Sequence, residues 1–403
     1  MSEEHLSVGE IFADKEVLRS TYIPENLPHR MEQIASLADV LSTALKGEVP
    51  SNILIYGKTG TGKTATVRYV SRQLEEIART CNCPLIYINC ELYYTQYRVV
   101  AYLARVFNKH VPVFGWPADI VYSELKERID TEDRYVVVIL DEMDKLVTKE
   151  DETLYKLLRI NSELNKARVS VIGISNDLTF SELLDPRVKS SLGAKEIIFP
   201  PYNAYQLKDI LTERAVMAFN YSALDDEVIP LCVALATKQD GDAKRALDLL
   251  LISGEIAERS KSKKVTEEHV RIASEKIEAI MVEVVKTLPL QSKILLSSVL
   301  MLMREKNERS FISGEVYNMY RRLCDHLDLE MVSQRRLRDL ISELDFLGLI
   351  NAVVVSRGKH GRTKEISLNV PEELIQPVLF VDPELIINCS NPKKPGQNPF
   401  PDF

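Results

Sequence analysis

No apolar run in this chain reaches the roughly 20 residues that a membrane-spanning helix needs, so no such helix is expected. The opening, Met1-Ser2-Glu3-Glu4-His5, is acidic and carries no signal-peptide core, which points to a cytoplasmic protein. Cysteine is scarce. Cys81, Cys83, Cys90, Cys232, Cys324 and Cys389 are scattered, which excludes a disulfide framework. Cys81-Asn82-Cys83 with Cys90 lacks a second ligand pair at finger spacing, so no zinc finger is expected. Tryptophan occurs once, at Trp116. Positive charge is in deficit: the net charge of −8 argues against a surface coated in phosphate contacts, while leaving room for a local basic face. What remains is a composition of 45% hydrophobic and 27% charged residues over 403 positions, which suits a soluble globular protein of two to three domains.

The organising stretch is Ile53-Leu54-Ile55-Tyr56-Gly57-Lys58-Thr59-Gly60-Thr61-Gly62-Lys63-Thr64. An apolar strand runs into Gly57, and Gly62-Lys63-Thr64 follows at the spacing of a phosphate-binding loop. Glycines there let backbone N–H groups turn toward phosphate oxygens, Lys63 can reach the β and γ phosphates, and the Thr64 hydroxyl can ligate Mg²⁺. Val67, Val70, Leu74 and Ile77 recur at helical spacing behind the loop, so a helix dipole would sit under the same anion.

Upstream, Tyr22-Ile23-Pro24 to Leu27-Pro28-His29-Arg30 reads as an extended arm placed to lie along an adenine ring, or as an ordinary linker. Downstream, Leu85–Cys90, Val136–Leu140 and Val169–Asn176 read as buried parallel strands. The second of these ends in Asp141-Glu142. Asp141 would hold Mg²⁺ and Glu142 would orient or deprotonate the attacking water. Asn176, closing the next strand, would hold that water. Arg187, after Asp185-Pro186, could reach a neighbouring subunit's γ phosphate; a surface ion pair is the alternative. Two helices, Thr95–Phe107 and Ala118–Ile129, lie between the strands Leu85–Cys90 and Val136–Leu140, where a crossover needs one. Their link carries Phe114 and Trp116, readable as an apolar wedge for DNA or as core.

After Pro200-Pro201-Tyr202 the chain turns helical, as a lid would, and Lys244 and Arg245 open one helix. Beyond Leu288-Pro289, three helices precede two strand-like segments, a winged helix-turn-helix pattern. The third helix sets Leu337, Leu340, Ile341, Leu344 and Leu347 inward, with Arg335, Arg338 and Ser342 on the opposite face. From Ser333 to Lys364 seven cations, Arg336, Lys359 and Arg362 among them, meet three anions, so positive charge gathers at the proposed DNA face. Use of this module for protein contact is the alternative.

These motifs resemble an AAA+ ATPase: a P-loop parallel-sheet base with a helical lid, followed by a winged helix. The arm, the extra helix and the C-terminal module narrow the likeness to the archaeal replication initiators related to eukaryotic origin-recognition and helicase-loading proteins, from about residue 10 to about residue 370. The expected domains are a base over 10–199 with an insertion near 95–129, a lid over 200–286, a winged helix over 287–390 and a flexible tail over 391–403. The resemblance implies that Gly57, Gly60, Thr61, Gly62, Lys63 and Thr64 bind ATP or ADP. It makes Thr64 and Asp141 the Mg²⁺ partners and Glu142 the companion of Asp141. Asn176 would be the first sensor and Arg187 a finger acting in trans. Pro28, His29, Arg30, Tyr202 and Arg214 would be further nucleotide contacts. The family's second sensor is usually arginine; here that place is Lys244, with Arg245 next, and lysine offers no bidentate fork. DNA contacts are expected from Arg335, Arg336, Arg338, Ser342, Lys359, His360 and Arg362, with Phe114 and Trp116 from the insertion.

The expected function is slow, ATP-switched initiation of replication in the cytoplasm, at the nucleoid. The expected partners are duplex origin DNA, the replicative helicase, and paralogous initiators or further copies of the chain. An ATP-sensing winged-helix regulator or repressor-type paralogue is a second reading. A clamp-loader-like enzyme is a third, disfavoured by the fused winged helix.

Overall fold

The computed structural model describes residues 11–45, 51–146, 152–177, 180, 184, 186–192, 195–237, 241–356 and 362–380. Contacts divide the chain into Met1–Ala273 and Ser274–Phe403.

The first unit is built on a parallel sheet of β1 (Ile53–Tyr56), β2 (Leu85–Asn89), β3 (Tyr135–Asp141), β4 (Arg168–Ser175) and β5 (Lys195–Ile198), in the order β2-β3-β4-β1-β5. The central strands are apolar throughout because both faces are covered. Val136, Val138 and Leu140 of β3 join the core under the helices Gln96–Phe107 and Ala118–Ile129. Val137 and Ile139 join the opposite core, with Leu37 and Leu41 of the helix Met31–Leu45 and Val67 and Val70 of the helix Lys63–Thr80. Each such buried Val, Leu or Ile contributes about 1.5–3 kcal/mol. β5 went unread in the sequence because it is a four-residue edge strand with only two apolar positions, one of them exposed, and among the described residues it pairs with β1. Behind the loop, Ile77 is half-exposed rather than core, and Ala78 takes its place inside.

The helices Ala204–Ala218, Val228–Thr237 and Ala243–Arg259 follow. Asn203 and Gln206 form a capping box for the first, and Asp242 caps the third through the N–H groups of Lys244 and Arg245. Pro230 falls in the first turn of Val228–Thr237, where its missing N–H costs nothing. Just before the helix Glu267–Thr287, Thr266 sets its Oγ1 2.8 Å from His269 Nδ1, which also accepts from Thr266 N at 3.0 Å.

The second unit holds the helices Leu290–Lys306, Ser313–Leu327 and Gln334–Phe346, the strands β6 (Ser310–Ile312), β7 (Ile350–Ser356) and β8 (Arg362–Leu368), and the helix Glu372–Phe380. The strands form an antiparallel sheet in the order β6-β8-β7, which completes a winged helix. The third helix ends in a Schellman turn: Leu349 N–H bonds Leu344 O (3.0 Å) and Gly348 N–H bonds Asp345 O (2.9 Å). That turn corrects the expected core. Leu347 is 39% exposed, and Leu349 is the residue packed inside.

Candidate nucleotide site and nucleic-acid interface

The loop after β1 is shaped by what presses on it. Gly60 has φ +73° and a Cβ there would lie 1.7 Å from Asp242 Oδ1. Gly62 has φ +86°, caps the helix Lys63–Thr80 with its backbone, and a Cβ would come within 2.7 Å of the Tyr202 hydroxyl. Any other residue at either place meets both a disfavoured backbone region and a neighbour. Gly60 O also accepts from Ala243 N (3.3 Å), so the loop is held under the N-terminus of the helix Ala243–Arg259. Lys63 is buried and its Nζ donates to Gly57 O (2.7 Å) and Lys58 O (2.8 Å). Burial pulls its pKa down to about 8, against the pull of Asp141, Asp144, Glu142 and Asp242. Thr61 Oγ1 donates back to Lys58 O at 2.7 Å, which tightens the same turn.

The parallel register carries Asp141 to the carboxyl end of β3, opposite Asn89 of β2. Ligands gather at that edge of an open α/β sheet. Asp141 is buried, and its Oδ2 accepts from Thr64 Oγ1 at 2.9 Å and from the Tyr87 hydroxyl. Its Oδ1 accepts from Glu142 N at 3.0 Å. A hydroxyl and a carboxylate in contact are hard oxygen donors, the set that Mg²⁺ takes. Glu142 sits at φ +55°, a left-handed conformation that costs a side-chain-bearing residue about 1–2 kcal/mol. Burial raises its pKa, and Glu91, Asp144 and Asp141 add to the rise. Such a carboxylate is a stronger base than a solvated one. Asn176 follows β4, and its N–H donates to Asp144 Oδ1 at 3.3 Å.

A cavity of about 280 Å³ opens over these groups. Gly60, Gly62, Lys63 and Thr64 line it on the loop side, with Glu142 and Asn176 beside them. Tyr22, Pro24 and Pro28 line it from the arm, and Tyr202, Arg214 and Lys244 from the segments after the sheet. Arg214 is buried: its Nη1 donates to Val17 O (2.9 Å) and its guanidinium lies 4.7 Å from the Tyr22 ring centre. At the helix start it is Lys244 that lines the cavity, and the backbone N–H groups of Lys244 (2.8 Å) and Arg245 (3.2 Å) both donate to Asp242 Oδ1.

Arg30, His29 and Arg187 do not line this cavity. Arg30 is 2% exposed. Its Nε donates to Thr61 O and to the Tyr202 hydroxyl, both at 3.0 Å, and its Nη2 to Pro200 O at 2.7 Å. The Tyr202 ring centre lies 3.9 Å from the guanidinium carbon. Arg30 therefore ties the arm to the loop and to the segment entering the lid. His29, at φ +63°, places Nε2 2.9 Å from Asp209 Oδ2 of the helix Ala204–Ala218. Arg187 is exposed in the helix Pro186–Leu192, 5.2 Å from the Tyr155 ring centre. Sequence reasoning missed Arg19, Glu213 and Leu247, which also line the cavity without any local motif. It missed Tyr87 as well, although a hydroxyl in an otherwise apolar strand two residues before a strand end was visible.

The link between Gln96–Phe107 and Ala118–Ile129 is an apolar tip. Phe114 is 78% exposed and Trp116 is 39% exposed, so the tryptophan is not a core residue. In the second unit, Leu337, Leu340, Ile341 and Leu344 are buried, and Arg335, Arg336, Arg338 and Ser342 face solvent. Arg336 Nη1 pairs with Glu343 Oε1 at 2.8 Å, and Lys364 Nζ donates to Ser342 Oγ at 3.0 Å. Lys359 and His360 lie outside the described residues, and Arg362 is described by its backbone pairing with Ser356.

A phosphate-binding loop on a parallel sheet of this order, closed by lid helices, defines an AAA-type ATPase, here with a winged helix on the same chain. The comparisons agree. The sequence matches the AAA ATPase domain over residues 26–172, the Cdc6 AAA+ ATPase-type lid domain over 208–275 and the CDC6 C-terminal winged helix domain over 283–377. It is 56% identical over 384 residues to ORC1-type DNA replication protein 1 of Methanosarcina acetivorans, covering 94% of this chain and 93% of that one. It is 57% identical over 388 residues to the ORC1-type DNA replication protein of Pyrococcus horikoshii, covering 94% and 92%. Among solved structures, the Aeropyrum pernix ORC1 protein in complex with DNA is similar at 45% identity and a TM-score of 0.71, over 94% of this chain and 99% of that one. The chain belongs to the ORC1/Cdc6-type archaeal DNA replication initiators.

Proposed function

We propose that this initiator binds ATP in the cavity, hydrolyses it slowly, and uses the nucleotide as a state marker while it holds duplex origin DNA and recruits the replicative helicase. The observation that carries the reading is the convergence of four separate segments on one cavity: loop, the strand-end carboxylate Glu142, arm and lid helices. Backbone N–H groups from Gly60 to Thr64 and the Lys63 ammonium cradle the phosphates. Tyr22, Pro24 and Pro28 offer an apolar wall to the base, and Tyr202 and Arg214 close the lid side. Thr64 and Asp141 hold Mg²⁺, which neutralises phosphate charge when bound. Glu142 takes the proton of the attacking water, and Asn176 orients that water. Lys244, rather than Arg245, reports on the γ phosphate as a point charge. Arg187 serves a neighbouring protomer or paralogue, since it is exposed and apart from its own cavity. His29 and Arg30 act on the nucleotide indirectly, through Asp209 and through Thr61 and Tyr202.

Arg335, Arg336, Arg338 and Ser342 enter the major groove, with the hairpin cations at the adjacent backbone and Phe114 and Trp116 as a second DNA contact. The DNA held by the Aeropyrum relative supports this reading. Lys63→Ala is expected to weaken ATP binding at least about 100-fold by calorimetry, because a buried cation is lost from a polyanion site. Unchanged affinity would sink the loop assignment.

A further inference from the structure

Tyr87 belongs to β2 and has no part in the chemistry above. Its hydroxyl donates to Asp141 Oδ2, the oxygen that also accepts from Thr64 Oγ1 at 2.9 Å. The register explains the reach: Asn89 pairs with Asp141 across the sheet, and Tyr87 lies two residues back on the same strand. The Arg68 guanidinium, from the helix Lys63–Thr80, lies 4.5 Å from the Tyr87 ring centre. Asp141 Oδ1 is meanwhile fixed by Glu142 N at 3.0 Å.

A carboxylate at a strand end can rotate about two side-chain bonds. Here one oxygen is held by the backbone and the other from two sides, so the orientation is set before any ligand arrives. Partners that aim a metal ligand typically govern metal affinity by about 10–100-fold. A ring that merely filled space would need no hydroxyl directed at a buried carboxylate, and the neighbouring strand positions are filled by Ile86 and Ile88.

We propose that Tyr87 is a positioning residue for the divalent cation: its hydroxyl holds the Asp141 carboxylate in the orientation in which that group and Thr64 receive Mg²⁺, and Arg68 keeps the ring in place. The proposal rests on the nucleotide reading above. Tyr87→Phe in the full chain tests it, because the ring stays under Arg68 while the hydroxyl is lost, with its bond to Asp141 and its weaker interaction with Arg68. ATP affinity is measured by calorimetry across a Mg²⁺ series and in EDTA. The expected result is an EDTA affinity equal to that of the unaltered chain, with the enhancement by Mg²⁺ reduced roughly tenfold and half-saturation moved to higher Mg²⁺. An unaltered Mg²⁺ dependence in Tyr87→Phe overturns the role of Tyr87 and leaves the nucleotide reading standing. An equal loss with and without Mg²⁺ also overturns it, since that marks packing alone. If the unaltered chain binds ATP equally in both conditions, the metal reading fails and the proposal with it.

Discussion

The nucleotide unit and the winged-helix unit place their candidate residues in opposite environments. In the first, Lys63, Asp141, Arg30 and Arg214 are buried charges, each with named partners. In the second, Arg335, Arg336 and Arg338 are exposed. Burying a charge is costly unless geometry repays it, so the first unit needs positive-φ glycines, a left-handed Glu142 and matched carbonyls. An exposed cationic face needs only the right residues at helical spacing, and its attraction to phosphates comes largely from released counterions. The first kind of site is therefore intolerant of substitution and couples to folding. The second is tolerant, and changes there should alter binding alone.

Arg30 tests that contrast hardest. Arg30→Ala leaves Thr61 O, Pro200 O and the Tyr202 hydroxyl without their buried donor. The expected loss of stability is about 2–4 kcal/mol, read from urea unfolding. Arg30→Lys should recover little of it, because one ammonium cannot reproduce the fork or stack on Tyr202. Arg335→Ala, as the exposed counterpart, should stay within about 0.5 kcal/mol. Comparable losses at the two positions would break the contrast.

The same contrast explains what the sequence made legible. Gly60, Gly62, Lys63 and Thr64 could be read because loop geometry fixes their spacing within one short stretch. Asp141 and Glu142 could be read because they end an apolar run. The helix Ala118–Ile129 matched its expected bounds, and Gln96–Phe107 follows its capping Thr95. What could not be read was tertiary. The union of Arg30 with Tyr202 spans 172 positions, and no local pattern announces it. The placing of Lys244 rather than Arg245 on the cavity depends on where Asp242 caps a helix, which residue order alone leaves open. β5 escaped because an edge strand with polar positions lacks the apolar signature of its neighbours.

The exposed face is expected to respond in binding alone. Arg335→Ala with Arg338→Ala should cost about 1–3 kcal/mol of duplex affinity per base-reading contact, or reduce the salt slope by about one unit per phosphate contact. Fluorescence anisotropy over a salt series separates the two. Unfolding midpoints should stay those of the unaltered chain. A footprint that survives the double change would move recognition to another surface.

Proton concentration gives the smallest effect and the sharpest comparison. Lys63 is held near pKa 8 by burial, and a bound triphosphate would raise it by supplying the opposite charge. Below that value the free protein already carries the ammonium, and ATP affinity should be flat. Above it the free protein must first take up a proton, so affinity falls as pH rises, by roughly threefold between pH 7.5 and 8.5. Folding moves the other way over the higher range. The unfolded chain, with an ordinary lysine, binds more protons between pH 8 and 10.5, so Lys63 makes stability rise with pH there. Arginine on the winged helix stays charged throughout. Calorimetry of ATP and anisotropy of duplex over the same pH series should therefore diverge, one falling and the other level. Parallel curves would show that burial does not set the charge of Lys63, and the contrast between the two sites would lose its electrostatic basis.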